Sequence, residues 1–284
     1  MKSSRPHFTG GSFFLDSHHR FQRILFSKMN DRIKQRLADL EAEHGFQILY
    51  ACESGSRAWE FASADSDYDV RFIYAWPLEK YVGIFEPKDQ MTWPVDEFEL
   101  DFSGWDLRKA LGLFRKSNGS LMEWLYSPIV YRENTEVMNR WRDLVSDSVV
   151  ANNSAAHYLG LRRQMWLEMC DGKAPVTAKR YLYVLRSLLA GRFVIENEKP
   201  IPVLFESLRN ALDLPAKVSF EIDHMITAKS EGKESDSIED VAVLENFIES
   251  ERLRLDELLP NVSGEIGDAE PLNQFFHEVT GFTS

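Results

Sequence analysis

Only two cysteines, Cys52 and Cys170, occur in 284 residues. That excludes a disulfide framework and suits a reducing compartment, so a cytoplasmic location is expected. No apolar run approaches the ~20 residues of a spanning helix, so no membrane partner is expected. The opening stretch MKSSRPHFTGGSFFLDSHHR lacks an apolar stretch of ~7–15 residues and does not read as a secretory signal. Fifteen glycines and eleven prolines are too few for a collagen-like or low-complexity chain. Positive charge is scarce: 33 Lys and Arg stand against 45 Asp and Glu, a net charge of −12. Bulk electrostatics therefore offers nothing to duplex DNA. Thirteen of the acids, against three basic residues, fall within residues 231–270. The rest of the chain is close to neutral, and 104–116 is locally basic, which leaves room for a basic groove holding one nucleotide or a single-stranded end. The histidines are scattered, and no zinc site is expected. No Walker motif, Gly-x-Ser-x-Gly or His-Glu-x-x-His occurs.

What is present is a globular composition, 44% hydrophobic and 27% charged, in a chain long enough for one large domain or two modest ones. Helical spacing marks residues 17–44, with Phe21, Ile24, Leu25, Met29, Ile33, Leu37 and Leu40 on one face and Gly45 as a stop. Residues 46–52 and 68–76 read as buried strands, 53–67 as a turn-rich connector with room for one helical turn, and 94–102 as a third, alternating strand. Helices are expected near 104–117, 121–126, 134–147, 151–171, 176–192, 202–211 and 236–259, with a further short strand at 127–131, a polar loop at 229–236 and a tail from Pro260 carrying Phe275 and Phe276. The expected organisation is an α+β core with a mixed sheet over 1–130, a helical domain over 131–260 and a tail over 261–284.

The chemistry concentrates in Gly55-Ser56 followed, ten residues on, by Asp67-Tyr68-Asp69. On a strand, residues i and i+2 project from the same face, so Asp67 and Asp69 stand side by side. Two such carboxylates repel, and one pKa rises unless a cation lies between them. A divalent metal is the usual reason for such a pair, and oxygen-only ligation suits Mg²⁺ or Mn²⁺. Gly55 lets backbone approach a phosphate, a short helix near Arg57 would aim free N–H groups at it, and the Ser56 hydroxyl and Arg57 guanidinium add donors. A two-metal site needs a third carboxylate. Glu97, Glu99 and Asp101 alternate on the third strand, with Asp101 favoured at its end and Glu99 in reserve.

This order of motifs resembles the DNA polymerase β-type nucleotidyltransferase superfamily. GSRAWEFASADSDYDVRFIY (55–74), GWDLRKAL (104–111), LMEWLYSPIVY (121–131) and KRYLYVLRSLLAGR (179–192) narrow the likeness to a bacterial and phage family of nucleotidyltransferases associated with RNA repair, YcgL-like in pattern. One departure shows: Glu60 follows Ala58-Trp59 where that pattern carries glycine. The resemblance implies a polymerase β-like core followed by helices and transfer of a nucleoside monophosphate from an NTP, ATP among them, with two Mg²⁺ or Mn²⁺ ions and release of pyrophosphate. It implies that Gly55 and Ser56 hold the triphosphate, that Asp67 and Asp69 bind metal, and that Asp101 binds the catalytic metal and helps deprotonate the acceptor.

In the helical part, Lys179, Tyr183 and Arg186 share one face at i, i+4 and i+7, a pattern able to contact triphosphate oxygens and stack a base. Arg108 and Lys109 neutralise phosphate or pair with nearby acids. Trp105, Trp124 and Trp166 sit at apolar helical positions and read as core, as does Cys52 on the first strand. Three acceptor readings stand open. An RNA 3′ end is favoured by family context. A protein or small-molecule hydroxyl, including a cationic antibiotic, is favoured by global acidity. The third is a nucleotide sensor without turnover.

Overall fold

A computed structural model describes residues 11–63, 66–144, 150–173, 175–230 and 241–282, with side chains from residue 27 on. The side chains of His18, His19, Phe21, Ile24 and Leu25, most of the 229–236 loop and the acids of 231–240 lie outside the described residues. By backbone proximity the chain forms two compact units, Met1–Gly45 and Phe46–Ser284. The first is one long helix, α1 (Gly11–His44), in which Ile33, Leu37 and Leu40 are buried on one face and Arg36 pairs with Glu43 at 2.7 Å.

The second unit opens with β1 (Gln47–Ser54), α2 (Gly55–Ala58), β2 (Tyr68–Ala75), α3 (Leu78–Tyr81), β3 (Gln90–Thr92) and β4 (Leu100–Asp106). It continues with α4 (Leu107–Arg115), α5 (Gly119–Leu125), β5 (Val130–Glu133) and α6 (Thr135–Asp143). The strands form one sheet in the order β3-β4-β2-β1-β5, with β2 and β4 parallel and the other pairs antiparallel, so the fold is α+β with a mixed sheet. The helical part is α7 (Ala151–Cys170), α8 (Ala178–Asn197), α9 (Phe205–Asn210), α10 (Ala216–Ser230), α11 (Val241–Leu258) and α12 (Glu270–Thr280). No helix among the described residues is long and apolar enough to cross a membrane.

Local chemistry sets the boundaries. Asp106, Asn118, Asn134 and Thr177 cap α4, α5, α6 and α8 through side-chain oxygens on backbone N–H groups, each worth about 1 kcal/mol. One apolar cluster joins the sheet to α4, α5, α6 and α12 through Leu49, Ile73, Leu107, Trp124, Trp141 and Phe275. A second gathers α7, α8, α9, α10 and α11 around Leu182, Leu185, Leu189 and Ile222, and Phe61 of the connector belongs to it.

Several expectations change. The third strand runs Leu100–Asp106, not 94–102, and Trp105 lies on it instead of on a helix. Glycine fits at position 104 because a Cβ there would meet the Phe72 ring at 2.2 Å across the β2–β4 pair. The strand β3 and the helix α10 were not expected. The segment from Pro260, read as a tail, forms a 3-10 turn and then α12, whose Phe275 is fully buried against Trp141. Part of the acidic charge of α11 is paired within the helix, Arg252 with Asp256 and Arg254 with Glu251, and Arg254 also reaches Glu196 of α8.

Candidate active site

The parallel β2–β4 register sets Asp69 directly beside Asp101 and Arg71 beside Ser103. The two acids project from one sheet face, both half-buried. Between them lies the Arg71 guanidinium, whose Nη2 donates to Asp69 Oδ1 at 2.9 Å and to Asp101 Oδ2 at 2.7 Å, while Nη1 donates to the Asp101 carbonyl at 2.9 Å. Arg71 is two residues beyond Asp69, on the same face by strand alternation. The sequence reading missed it, although the Asp67, Asp69, Arg71 alternation was its signal. Burial raises the Asp69 pKa, and Arg71 opposes that rise.

Asp67 is exposed just before β2. Its backbone is pinned: Arg57 donates from Nε to the Asp67 carbonyl at 3.0 Å and from Nη2 to the Ser66 carbonyl at 2.5 Å, and its guanidinium lies 3.8 Å from the Tyr68 ring centroid. Arg57 is thus a clamp on the connector, not a free phosphate ligand. Glu99, the reserve acid, is exposed and off the strand at φ 58°, and the exposed Glu97 lies in the turn just before it. Of the three, Asp101 alone enters the carboxylate face.

Gly55 opens α2 at φ 62°, and a Cβ there would fall 2.1 Å from Asp69 Oδ2. Only glycine leaves room for that carboxylate. Ser56 is buried beside Tyr183. A second missed residue is Glu53 on β1, buried behind the site. It accepts the Asp69 backbone N–H at 2.7 Å and a hydrogen bond from the Tyr131 hydroxyl, and burial pushes its pKa up to about 7. Its partners lie 16 and 78 residues away, beyond any local pattern.

The α8 face divides. Lys179 is exposed and acts electrostatically on Asp69. The Tyr183 ring packs edge-on against Trp59 at 5.2 Å and Phe61 at 5.8 Å, and its pKa is pushed up to about 12, first by burial and then by Asp69. That packing anchors the connector and is not the open stacking platform expected. Arg186 is 2% exposed, pairs with Glu123 through both carboxylate oxygens at 3.1 and 2.9 Å, donates to the Val203 carbonyl and covers the Trp59 ring at 3.9 Å. Its guanidinium has no exposed edge for a triphosphate. The exposed Arg108 lies over Tyr81, and Lys109 pairs with Asp89 at 3.3 Å.

The donors of Asp67, Asp69 and Asp101 are hard oxygens, which fits Mg²⁺ or Mn²⁺ in kind, and the cradle that Gly55 leaves open admits the Asp69 carboxylate. Among the described residues no three Asp, Glu, His or Cys side chains enclose an ion site. Arg71 supplies the positive charge between Asp69 and Asp101.

Residues 29–278 match the family model described as the RNA repair pathway DNA polymerase beta family. The chain is 38% identical over 240 residues to the uncharacterized protein YcgL of Bacillus subtilis (strain 168), covering 84% of this chain and 92% of the relative. Among solved structures, a nucleotidyltransferase-like protein from Exiguobacterium sibiricum 255-15 aligns over 89% of this chain and 81% of its own at 9% identity and a TM-score of 0.29, a likeness that carries no argument. The chain belongs to the RNA repair pathway DNA polymerase beta family and is a polymerase β-like nucleotidyltransferase acting on a nucleotide.

Proposed function

For this family member we propose metal-dependent transfer of a nucleoside monophosphate from an NTP to an acceptor hydroxyl, most favourably an RNA 3′ end, with release of pyrophosphate. The observation that carries it is the pairing of Asp69 with Asp101 on adjacent strands, with Gly55 opened against Asp69. In this reading Asp67 and Asp69 hold the metal ions together with Asp101. When bound, the ions supply charge stabilisation on the transferring phosphorus. The backbone at Gly55 and the Lys179 ammonium take the triphosphate, and Ser56 with Tyr183 fixes the turn. Asp101 accepts the acceptor's proton as the oxygen–phosphorus bond forms and the bond to pyrophosphate breaks. Arg71 holds the two acids in register before nucleotide arrives, then moves to the developing negative charge. The nucleotidyltransferase core of residues 1–130 and the helical part of 131–260 are retained in this reading, and the family's name supports the RNA acceptor.

The test is incubation with each labelled NTP and Mg²⁺ or Mn²⁺ in the presence of RNA, protein or an aminoglycoside, scoring which pool takes label. Label in RNA that chelation abolishes is the expected result. Label in the protein or aminoglycoside pool alone would move the acceptor, and turnover indifferent to chelator would remove the metal.

A further inference from the structure

Beyond Asp69 and Asp101 the same sheet face continues into a cavity of about 310 Å³. Strand alternation carries β4 from Asp101 to Ser103 to Trp105, and all three project from one face. Ser103 and Trp105 line the cavity floor with Arg71 at its carboxylate end, and α5 contributes Ser120 and Trp124. Trp105 and Trp124 stack at 3.8 Å between centroids, and Trp59 adds a third indole to the wall.

The wall's charge narrows its occupant. The acid that lines it, Glu123, is spent on Arg186 and on the Trp59 indole N–H at 2.7 Å. Arg186 and Arg71 also line it, the first closed onto Glu123 and the second paired with Asp69 and Asp101. A polycation would find no available counter-charge, despite the acidity of the whole chain. A planar uncharged ring would find indole surface to stack on and hydroxyls for its edge, a combination that suits a nucleobase. The volume is at the lower end for small-ligand pockets, enough for one nucleoside and little more. A separate cavity of about 430 Å³ is lined by Lys179, Arg180, Thr177 and Tyr183, and its exposed Lys179 offers a triphosphate a cation.

We propose that the tryptophan-lined cavity seats the terminal nucleoside of a single-stranded RNA acceptor, its base against Trp105 and its hydroxyl turned toward Asp101. The inference rests on the transferase reading and names the acceptor side of the same site. The acceptor oxygen forms its bond to the α-phosphorus, the bond to pyrophosphate breaks, and the hydroxyl proton passes to Asp101.

The experiment fills the cavity with Ser103→Phe and, independently, Ser120→Phe, keeping only variants whose melting temperature matches wild type. If neither does, Trp105→Leu, which keeps an apolar side chain against Trp124 and removes the stacking ring, replaces them. Affinity for a short single-stranded RNA of mixed sequence with a free 3′ hydroxyl is read by fluorescence anisotropy, and affinity for a non-hydrolysable NTP with Mg²⁺ by calorimetry. RNA affinity is expected to fall about tenfold or more, the size of one lost base stack, with NTP affinity unchanged. Unchanged RNA affinity in the folded variants overturns the proposal. So does a parallel fall in NTP affinity, which would give the cavity to the incoming nucleotide. The anisotropy arm needs no turnover: wild type that binds RNA through this cavity but transfers nothing would overturn the transferase reading alone.

Discussion

Two ion-pair systems flank the connector between β1 and β2, and they differ in what they leave open. On the sheet, Arg71 joins Asp69 and Asp101, all three half-buried. Between α8 and α5, Arg186 and Glu123 are closed off at 3% and 9% side-chain exposure. The first keeps carboxylates at 25% and 29% side-chain exposure, with a guanidinium between them at 18%. The second is a strut under Trp59. Charge at suggestive spacing occurs in both, and accessibility separates chemistry from scaffold.

The largest break in that comparison comes from the sheet side. Asp69→Asn or Asp101→Asn is expected to lower transfer by roughly three orders of magnitude or more, with melting temperature held, because the scaffold does not depend on the lost charge. Glu99→Ala, in its exposed turn, is expected to do far less. Single-turnover rates at saturating Mg²⁺ check the ranking, and a Glu99 variant worse than Asp101→Asn would move the site off β4.

On α8 the expected pattern is reversed. Arg186→Ala strands the buried Glu123 carboxylate and is expected to cost about 3–5 kcal/mol of stability, read by urea unfolding. Arg186→Lys should not rescue it, since an ammonium cannot span both carboxylate oxygens. Lys179→Ala should leave unfolding unchanged while weakening NTP binding roughly ten- to hundredfold by calorimetry. Equal effects of Arg186→Ala and Lys179→Ala on NTP affinity, without a stability loss, would return Arg186 to the nucleotide.

That division explains what the sequence made legible. Gly55, Asp67 and Asp69 stand out because their geometry is local: a turn glycine and a period of two. The i, i+4, i+7 spacing of Lys179, Tyr183 and Arg186 is equally plain, but it reports a shared helix face without saying what covers it. Arg71 carried a local signal in its alternation with Asp69, but its bond to Asp101, like the bonds of Glu53 to Asp69 and Tyr131, comes from pairing between strands distant in sequence, on which periodicity is silent. The strand at Leu100–Asp106 escaped because Gly104 resembles a breaker until Phe72 is known to lie against it. The α10 helix was within reach: Val218, Ile222 and Met225 recur at helical spacing and are buried.

Glu53 sharpens the contrast from beneath the sheet. Like Glu123 it is a buried acid, but it is held by Tyr131 and a backbone N–H instead of a guanidinium. Its pKa rises from 4.5 to about 7, with burial the largest cause. A raised folded-state pKa on an acid means the folded protein binds the proton more tightly than the unfolded chain. The associated stability is complete below pH 4.5 and is lost as pH rises through about 7. The loss should approach about 3 kcal/mol by pH ~8. Urea unfolding at about pH 5 and pH 8, with chelator present, checks it, and Glu53→Gln should flatten the difference. An unchanged slope in Glu53→Gln would assign the pH dependence to another group.

The smallest effect concerns the connector that both systems hold. Glu60 is exposed and sits at φ 64°, a left-handed conformation that costs an L residue about 1 kcal/mol or more. Glycine relieves that strain but loses more backbone freedom on folding. Glu60→Gly should therefore stabilise the fold by about 0.5–1 kcal/mol. Glu60→Ala separates conformation from charge: it removes the carboxylate and keeps the Cβ, so no gain is expected. Equal stabilisation by both would make the carboxylate, not the backbone, the source. Calorimetry with NTP completes the test. Because Glu60 is exposed on a turn pinned by Trp59 and Arg57, Glu60→Gly should leave nucleotide affinity as it is. A rise in affinity would mean that the carboxylate reaches back toward the phosphates and that the open, sheet-side system extends across the connector.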